Sequence, residues 1–273
     1  MKIKNYLIIS LPNHNSSADR RANLKQQLKN KSYFFIDAIH GISLMNPKYR
    51  ARIAEELEIP YIKLGPDWVS KRNNFKTMTN SLVSILPRFG LYLSTIKSLK
   101  YAIKNNYDHV LIMEDDAILK TNGDIHIELD KNEHEPDLVY LGGTCNKSCY
   151  NEFLSLPHQT RSKLYSIKPH KLKLYGTFGY VIFGQKKIAE ILRILLSVFN
   201  DGKSRDKHRD WRTGNIKLRC QAIDLFFINH FQKQGNCKIV YPTLVDHPLC
   251  NLSTIDLFPK KKNKLKSYNL KIL

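Results

Sequence analysis

The sequence has few cysteines, no linker-like run of glycine, proline and serine, and no apolar run long enough to cross a membrane. Five cysteines in 273 residues exclude a disulfide-rich scaffold and predict reduced thiols in a cytoplasmic protein. Cys145 and Cys149 are spaced like half of a zinc site, but no second well-spaced pair completes it. The run YLIISL, residues 6–11, is too short for the core of a signal peptide, so we expect it to form a first strand.

Acidic residues are also scarce. The chain has 24 aspartates and glutamates against 44 lysines and arginines, which gives a formal net charge of +20. Residues 157–173 and 260–273 contain no acid at all. Such a balance favours polyanionic partners, namely nucleic acid, a phosphorylated substrate or an anionic membrane surface. No zinc-finger or RRM signature accompanies the charge, so we expect no nucleic-acid partner.

Strand-like and helix-like segments alternate along the chain, which predicts an α/β fold with a mostly parallel sheet flanked by helices. One domain is expected over residues 1–258, followed by a basic tail over 259–273. Residues 63–80 read as an irregular insertion. Strands are predicted at 4–11, 32–39, 109–113, 137–143, 174–184 and 238–245, and helices at 17–28, 46–59, 90–106, 185–199 and 225–231.

Three adjacent carboxylates, Glu114, Asp115 and Asp116, follow directly on an apolar strand in HVLIMEDDAIL, residues 109–119. Ligands of open parallel sheets bind beyond the carboxyl ends of strands, and neighbouring carboxylates there are costly unless a cation compensates them. Oxygen ligands suit Mg²⁺ or Mn²⁺, which bridge proteins to substrate phosphates. Alternation along an extended chain would put Glu114 and Asp116 on one side. The alternative is a solvated acidic turn without a ligand.

Five stretches in order resemble glycosyltransferase family 25, the lipooligosaccharide-type β-galactosyltransferases related to procollagen galactosyltransferases. They resemble the opening strand and arginine-pair helix of that family, its F-x-A-x-x-G turn, its I-L-E-D-D strand, its G-T-x-x-Y segment and its late aspartate motif. The stretches are YLIISLPNHNSSADRRANLKQQL (6–28), FFIDAIHG (34–41), HVLIMEDDAIL (109–119), YGTFGYVIFGQKKIAEIL (175–192) and AIDLFF (222–227).

The resemblance implies a GT-A-like, Rossmann-like enzyme that binds a UDP-sugar through an acidic motif and Mn²⁺ or Mg²⁺. Asp116 would be the direct metal ligand, with Glu114 at the ribose or the metal sphere and Asp115 beside the nucleotide. In some GT-A enzymes a late histidine completes the metal shell, which makes His247 a third candidate ligand; a surface loop is the alternative.

The resemblance also implies a uridine pocket formed by Pro12, Asn13 and the turn from Ala38 to Gly41. Arg20, with its neighbour Arg21, would contact phosphate, although an arginine pair that opens a helix also suits a solvated surface.

The family is taken as inverting, which requires a general base for the acceptor hydroxyl. Asp224 in AIDLFF matches the late family aspartate and is the candidate base; an N-cap of the helix at 225–231 is the alternative. Trp211 and Tyr180 are candidates for stacking on sugar faces, or else packed core aromatics.

One stretch departs from the family pattern G-E-I-G-C-x-L-S-H. PRFGLYLST keeps Gly90 and Ser94, but Arg88 replaces the acid and Thr95 the histidine. The resemblance thus implies an inverting, metal-dependent transferase that moves a hexose, galactose above all, from a UDP-sugar to a lipooligosaccharide or other glycan. The basic charge favours a position at or near the inner face of an anionic membrane. A silent relative acting as a scaffold and a nucleic-acid-binding protein are the alternatives.

Overall fold

The computed structural model describes residues 2–14, 16–60, 75–121, 125–129, 135–145, 163–166, 174–200, 223–234, 236–241, 243–247 and 268–269. The strands are β1 (Asn5–Ser10), β2 (Ser32–Asp37), β3 (His109–Glu114), β4 (Ile118–Leu119), β5 (Leu138–Cys145), β6 (Lys163–Ser166), β7 (Leu174–Phe183), β8 (Cys237–Tyr241), β9 (Val245–Asp246) and β10 (Tyr268–Asn269). The helices are α1 (Ser17–Gln27), α2 (Pro47–Glu56), α3 (Phe75–Lys104), α4 (Gln185–Asn200) and α5 (Ile223–His230), with 3₁₀ turns at Ile42–Met45 and Gln232–Gln234.

The main sheet has the strand order β2-β1-β3-β7-β5-β8-β6, and β10 pairs with β5. Strands β1, β2 and β3 are parallel, as are β5 and β8, whereas β7 runs antiparallel between β3 and β5. This architecture confirms the predicted α/β, Rossmann-like fold. Because β1, β2 and β3 are parallel, their carboxyl ends meet at one edge of the sheet, and the loops that leave this edge carry the candidate site.

Hydrophobic cores cover both faces of the sheet. Helices α2, α3, α4 and α5 pack on one face, around Leu7, Ile112 and Ile182. Helix α1 covers the other face, where Leu24 and Leu28 pack against the strand residues Ile8 and Leu111 together with the chain near Ile125. The alternation of buried residues on β1 and β3 between the two cores is what the period of two in a strand requires.

Local sequence signals explain where α2 begins. Pro47 opens α2, and the Asn46 side chain caps it by accepting hydrogen bonds from the backbone N–H groups of Lys48 and Tyr49. The inward positions predicted on α4 are all buried: Ile188, Ile191, Leu192 and Leu195. These elements confirm the helical periodicity of the sequence.

Helix α3 differs most from the prediction. It begins at Phe75, fifteen residues before the predicted start at Gly90, and passes through Pro87. The part of 63–80 predicted as irregular is therefore helical from residue 75 onward. On the predicted apolar stripe, Tyr92, Ile96 and Leu99 are fully buried, but Ile103 near the helix end is 37% exposed.

Several of the sequence predictions concern residues that the structure does not describe. Trp211, most of the basic stretch 157–173 and most of the tail 259–273 lie outside the described residues. Tyr268 and Asn269 in the tail pair antiparallel with Cys145 and Thr144 of β5. None of the described helices is both long and apolar enough to cross a membrane.

Candidate functional site

Polar residues terminate the three parallel strands at the edge of the sheet. Ser10 ends β1, Asp37 ends β2 and Glu114 ends β3, and the register pairs Ser10 with Asp37 and Ile9 with Glu114. After Glu114 the backbone N–H of Asp115 still donates to the Ile9 carbonyl, at 3.0 Å, and then the chain turns. The edge therefore presents a row of polar side chains across adjacent strands.

Asp115 and Asp116 lie in this turn, and the sequence Glu114–Asp116 is called here the acidic turn. The backbone N–H of Ala117 closes it by donating to the Glu114 carbonyl at 3.1 Å. Because the extended chain ends at Glu114, the alternation that would have placed Glu114 and Asp116 on one side does not apply. Instead, the carboxylates of Asp115 and Asp116 both face Arg20 of α1.

The arginine pair of α1 is half-buried and contacts carboxylates, so the alternative of a solvated surface pair is wrong. Arg20 Nη1 lies 3.2 Å from Asp115 Oδ1 and 3.6 Å from Asp116 Oδ2. Arg21 donates through Nε to Ser10 Oγ at 2.7 Å and through Nη2 to Asp37 Oδ1 at 3.0 Å. Ser10 Oγ in turn donates to Asp115 Oδ2 at 2.7 Å. A continuous polar chain thus joins the ends of β2, β1 and β3.

His247 completes the surroundings of Asp116. Its Nε2 lies 3.0 Å from Asp116 Oδ2, and its ring stacks on Phe178 with centroids 4.6 Å apart. Burial alone raises the pKa of the Asp116 carboxyl, but the hydrogen bond and charge of His247, with the charge of Arg20, lower it overall. Asp116 is therefore held as a carboxylate at neutral pH.

His247 follows Asp116 by 131 residues in the sequence, and two short strands bring it to the acidic turn. β9 pairs antiparallel with β4, which directly follows the turn, so Ile118 faces Asp246. β9 also lies against the main sheet at Gly142 and Gly179. A Cβ on Gly142 would lie 2.0 Å from the Val245 carbonyl oxygen, and one on Gly179 would lie 3.1 Å from a Val245 methyl group. Glycine at these two positions permits the approach.

The donor set was tested for a divalent cation. Asp116 Oδ1 is buried and has no hydrogen-bond partner among the described residues, so one carboxylate oxygen is left for a ligand. His247 is adjacent and supplies an imidazole. Within the described part of the chain no group of three histidine, cysteine, aspartate or glutamate side chains converges as a metal site. Two protein ligands fit Mg²⁺ or Mn²⁺ only where water and substrate phosphates complete the shell.

A cavity of about 600 Å³ lies at the carboxyl ends of β1 and β2. No residue of the acidic turn lines it; the hydrogen-bonded chain from Asp37 through Arg21 and Ser10 to Asp115 connects the two. Pro12, Asn13 and Ala38 line it, as the sequence predicted for the uridine pocket. Polar and charged side chains make up much of the remaining wall: His14, Asp37, His40, Ser43, Tyr49, Arg52, Glu56 and Lys97. Burial lowers the pKa of His40, and the charge of His14 lowers it further, so His40 is neutral at neutral pH.

Gly41 has a different position from the one predicted. It does not line the cavity; it packs against α3, where an added Cβ would lie 1.9 Å from the Leu86 carbonyl oxygen. Gly90 faces the same turn, with a Cβ placed 2.4 Å from the Ile39 carbonyl oxygen, and Ser94 Oγ accepts from the Ile39 backbone N–H at 2.8 Å. These residues hold the cavity wall against α3, which gives Gly90 and Ser94 a structural role.

Glu114 lies on the other side of the sheet edge from Asp115, toward Tyr180. Tyr180 is 1% exposed and packs edge-on against Phe227 at 5.0 Å, so it is a core aromatic and cannot stack on a sugar. Burial raises the pKa of the Tyr180 phenol, against a weaker lowering influence of Thr95, and the Glu114 carboxylate raises it further. Thr95, which replaces the family histidine, is buried and donates to the Leu91 carbonyl.

Asp224 lies in the first turn of α5, which begins at Ile223, so it is not the residue that precedes the helix. Its Oδ1 accepts from the backbone N–H of Leu225 at 2.8 Å. It is half-buried, and its charge acts on buried Tyr140. Tyr140 pairs with Tyr180 across β5 and β7, so Asp224 and Glu114 approach the same tyrosine pair on one face of the sheet.

Sequence reasoning missed Ser10 and Asp37. A signal for both was present, because each is a polar residue near the carboxyl end of a predicted strand, 4–11 and 32–39, just as Glu114 directly follows the predicted strand 109–113. The cavity residues Tyr49, Arg52 and Lys97 had no such signal, since they project from helices whose orientation on the sheet the sequence does not show.

Comparison with protein families gives a match to glycosyltransferase family 25 (LPS biosynthesis protein) over residues 3–198. The matched range contains the acidic turn, the arginine pair and every cavity residue, whereas Asp224 and His247 lie beyond it. The comparison with curated proteins gives no match. Since the match spans well over half of the 273 residues and agrees with the ordered motifs, the chain belongs to glycosyltransferase family 25.

Proposed function

We propose that this glycosyltransferase is an inverting, metal-dependent enzyme that moves a hexose, galactose being favoured, from a UDP-sugar to a glycan acceptor of the lipooligosaccharide type. The observation that carries the proposal is that the cavity at β1 and β2 and the acidic turn at β3 lie at the same edge of the sheet, joined by the polar contacts of Arg21 and Ser10. Their edge of the sheet is where ligands of open α/β folds bind.

The cavity suits the nucleoside of the donor. Its volume of about 600 Å³ lies in the range of small-molecule sites, and Pro12, Ala38 and Ile39 give it an apolar wall. Asn13 supplies donor and acceptor groups for a base edge. Asp37 supplies a carboxylate that Arg21 orients from the other side. Since strands lie about 4.8 Å apart, Asp37 and the acidic turn are about two strand spacings apart, which a ribose and two phosphates can bridge.

The acidic turn suits the diphosphate end of the donor. Asp116 and His247 would hold Mn²⁺ or Mg²⁺, and this ion, when bound, neutralises the charge that develops on the departing diphosphate. Ser10 and Arg20 fix the carboxylate of the neighbouring Asp115 by hydrogen bonds. Arg20 lies within reach of the same phosphates.

Asp224 is the proposed general base. It lies at the start of α5 with one carboxylate oxygen bound to a backbone N–H, which fixes its orientation but leaves the other oxygen to accept a proton from the acceptor hydroxyl. Asp224→Asn should leave UDP binding intact and lower turnover by about 100-fold or more. Unchanged turnover would reduce Asp224 to a residue that stabilises the first turn of α5.

The proposed function is tested by UDP-sugar hydrolysis and UDP affinity, each with and without Mn²⁺. Wild type should hydrolyse UDP-galactose or another UDP-hexose only with the cation present. Asp116→Asn should abolish Mn²⁺-dependent UDP binding, whereas Asp19→Asn on the exposed side of α1 should match wild type. Wild type that binds UDP and Mn²⁺ without hydrolysing any UDP-sugar would favour the scaffold alternative, and preference for single-stranded DNA over UDP would favour the nucleic-acid alternative.

A further inference from the structure

We infer that Arg20 and the divalent cation are alternative counter-ions of the acidic turn, and that Arg20 changes partner from Asp115 and Asp116 to the diphosphate of the donor when the cation binds. The inference rests on the proposed function and concerns how binding of metal and nucleotide is coupled.

The position of Arg20 is the first observation. A single guanidinium nitrogen, Nη1, lies within ion-pair distance of both Asp115 Oδ1 and Asp116 Oδ2, at 3.2 and 3.6 Å. The two carboxylates are only 8% and 11% exposed, while Arg20 is 22% exposed. Arg20 thus supplies, from the more open side, the positive charge that two buried adjacent carboxylates require.

Competition follows from the atoms involved. Asp116 and His247 are the two side chains proposed to bind the cation. The same Asp116 oxygen that contacts His247, Oδ2, also lies within ion-pair distance of Arg20. A divalent ion bound to Asp116 would lie within a few ångströms of the guanidinium, and charges in so buried a site are poorly screened. Arg20 must therefore move away, or the cation binds weakly.

The diphosphate gives Arg20 a new partner. Guanidinium groups bind phosphate oxygens through paired hydrogen bonds, and the long arginine side chain pivots without moving α1. Arg21 differs from Arg20, because its contacts are with Ser10 and Asp37 and a cation at Asp116 would not compete for them. Cation and nucleotide then favour each other's binding: the cation releases Arg20, and the nucleotide accepts it. Such coupling is reciprocal by thermodynamic necessity.

The test measures Mn²⁺ affinity from the electron paramagnetic resonance signal of free Mn²⁺, with and without UDP. Arg20→Gln should bind Mn²⁺ alone about fivefold or more tightly than wild type, and the enhancement of Mn²⁺ affinity by UDP should shrink by a similar factor. Lys25→Gln removes one positive charge from the exposed face of the same helix and should match wild type.

Arg20→Lys is the second variant and serves if Arg20→Gln does not fold. It keeps the charge, but its single ammonium lacks the planar fork, so its Mn²⁺ affinity without UDP should lie between those of wild type and Arg20→Gln.

Equal Mn²⁺ affinity of wild type and the Arg20 variants without UDP would overturn the inference, as would an equal gain in Lys25→Gln. Either result leaves the proposed function standing if wild type still binds Mn²⁺ and UDP together. Wild type that binds Mn²⁺ neither alone nor with UDP would overturn both.

Discussion

Arg20 and Arg21 are consecutive residues that neutralise different carboxylates. Successive helical positions point about 100° apart, so Arg20 faces Asp115 and Asp116 while Arg21 faces Ser10 and Asp37. This division explains how a chain with a formal charge of +20 accommodates two of the three adjacent acids, Asp115 and Asp116, at the end of one strand. The local ion pairs with Arg20, rather than the net charge of the molecule, stabilise these two carboxylates.

Tyr140 and Tyr180 face each other across two strands but differ in how their hydroxyls are satisfied. The Tyr140 hydroxyl accepts from Gln232 Nε2 at 2.8 Å. The Tyr180 hydroxyl is buried near Thr95 without a contact of hydrogen-bond geometry among the described residues. The two phenols therefore make a matched pair for measuring what a buried hydroxyl contributes.

Tyr140→Phe should lower the free energy of unfolding by about 1–3 kcal/mol, because it leaves a buried Gln232 N–H without its acceptor. Tyr180→Phe should change it by less than about 1 kcal/mol. Urea unfolding at pH 7 measures both. Equal losses in the two variants would contradict the assigned hydrogen bonds.

The raised pKa values of both phenols also predict that the folded protein loses stability at alkaline pH. Burial raises the pKa of each when the protein is folded, whereas the unfolded chain ionises near pH 10. The stabilising contribution is therefore complete below about pH 10 and is lost as the pH rises above it. Tyr180→Phe should lose less stability than wild type between neutral pH and about pH 11. If the unfolding free energies of Tyr180→Phe and wild type fall identically as the pH rises, Tyr180 ionises as freely in the folded protein as in the unfolded chain.

At the scale of elements, the short strand β9 connects the C-terminal part of the chain to the site. It pairs with β4, rests on Gly142 and Gly179, and ends at His247. The contact of His247 with Asp116 therefore depends on glycines that lie in other strands.

Gly142→Ala should displace β9 and separate His247 from Asp116, because its Cβ would overlap a backbone carbonyl that cannot give way. We expect a loss of about 1–3 kcal/mol of stability and of most Mn²⁺-dependent UDP affinity. Gly179→Ala is the graded control, since its Cβ would meet only a Val245 methyl group at 3.1 Å. Chemical denaturation and UDP titration with Mn²⁺ measure the two effects. A Gly142→Ala variant that binds UDP as tightly as wild type would show that the position of β9 does not affect UDP binding.

The elements near the site were predictable because their signals are local. Alternation and capping residues located β1, α1, β2, α2 and β3 to within a few residues. The start of α3 was missed, since 63–80 lacks an apolar stripe and contains Gly65 and Pro66. The contact between His247 and Asp116 has no local signal; the family resemblance suggested His247 as a ligand, but the pairing of β4 with β9 shows how it reaches Asp116.

At the scale of the whole molecule, the excess of positive charge predicts contact with an anionic membrane surface, and this stays a prediction. Each lysine near such a surface contributes about 1 kcal/mol. Replacing Lys260, Lys261 and Lys262 by glutamine should therefore weaken binding to phosphatidylglycerol vesicles by roughly 100-fold at low salt. Co-sedimentation measures it, with phosphatidylcholine vesicles as the neutral surface.

The matched control replaces three exposed lysines elsewhere, Lys25, Lys29 and Lys48, by glutamine. It removes the same charge and should retain most of the vesicle affinity. An equal loss of vesicle affinity in both triple variants would show that net charge alone determines the affinity. No loss in either variant would contradict the predicted membrane contact.

The central claim is that a divalent cation joins the acidic turn to the diphosphate of a UDP-sugar at the edge of the sheet. Its most direct test is a crystal structure of the protein with UDP and Mn²⁺, in which anomalous scattering locates the manganese. We predict a peak about 2 Å from an Asp116 carboxylate oxygen, with His247 beside it and the uridine in the cavity lined by Pro12, Asn13 and Ala38. Manganese bound elsewhere, or UDP bound with no ion at Asp116, would contradict the claim.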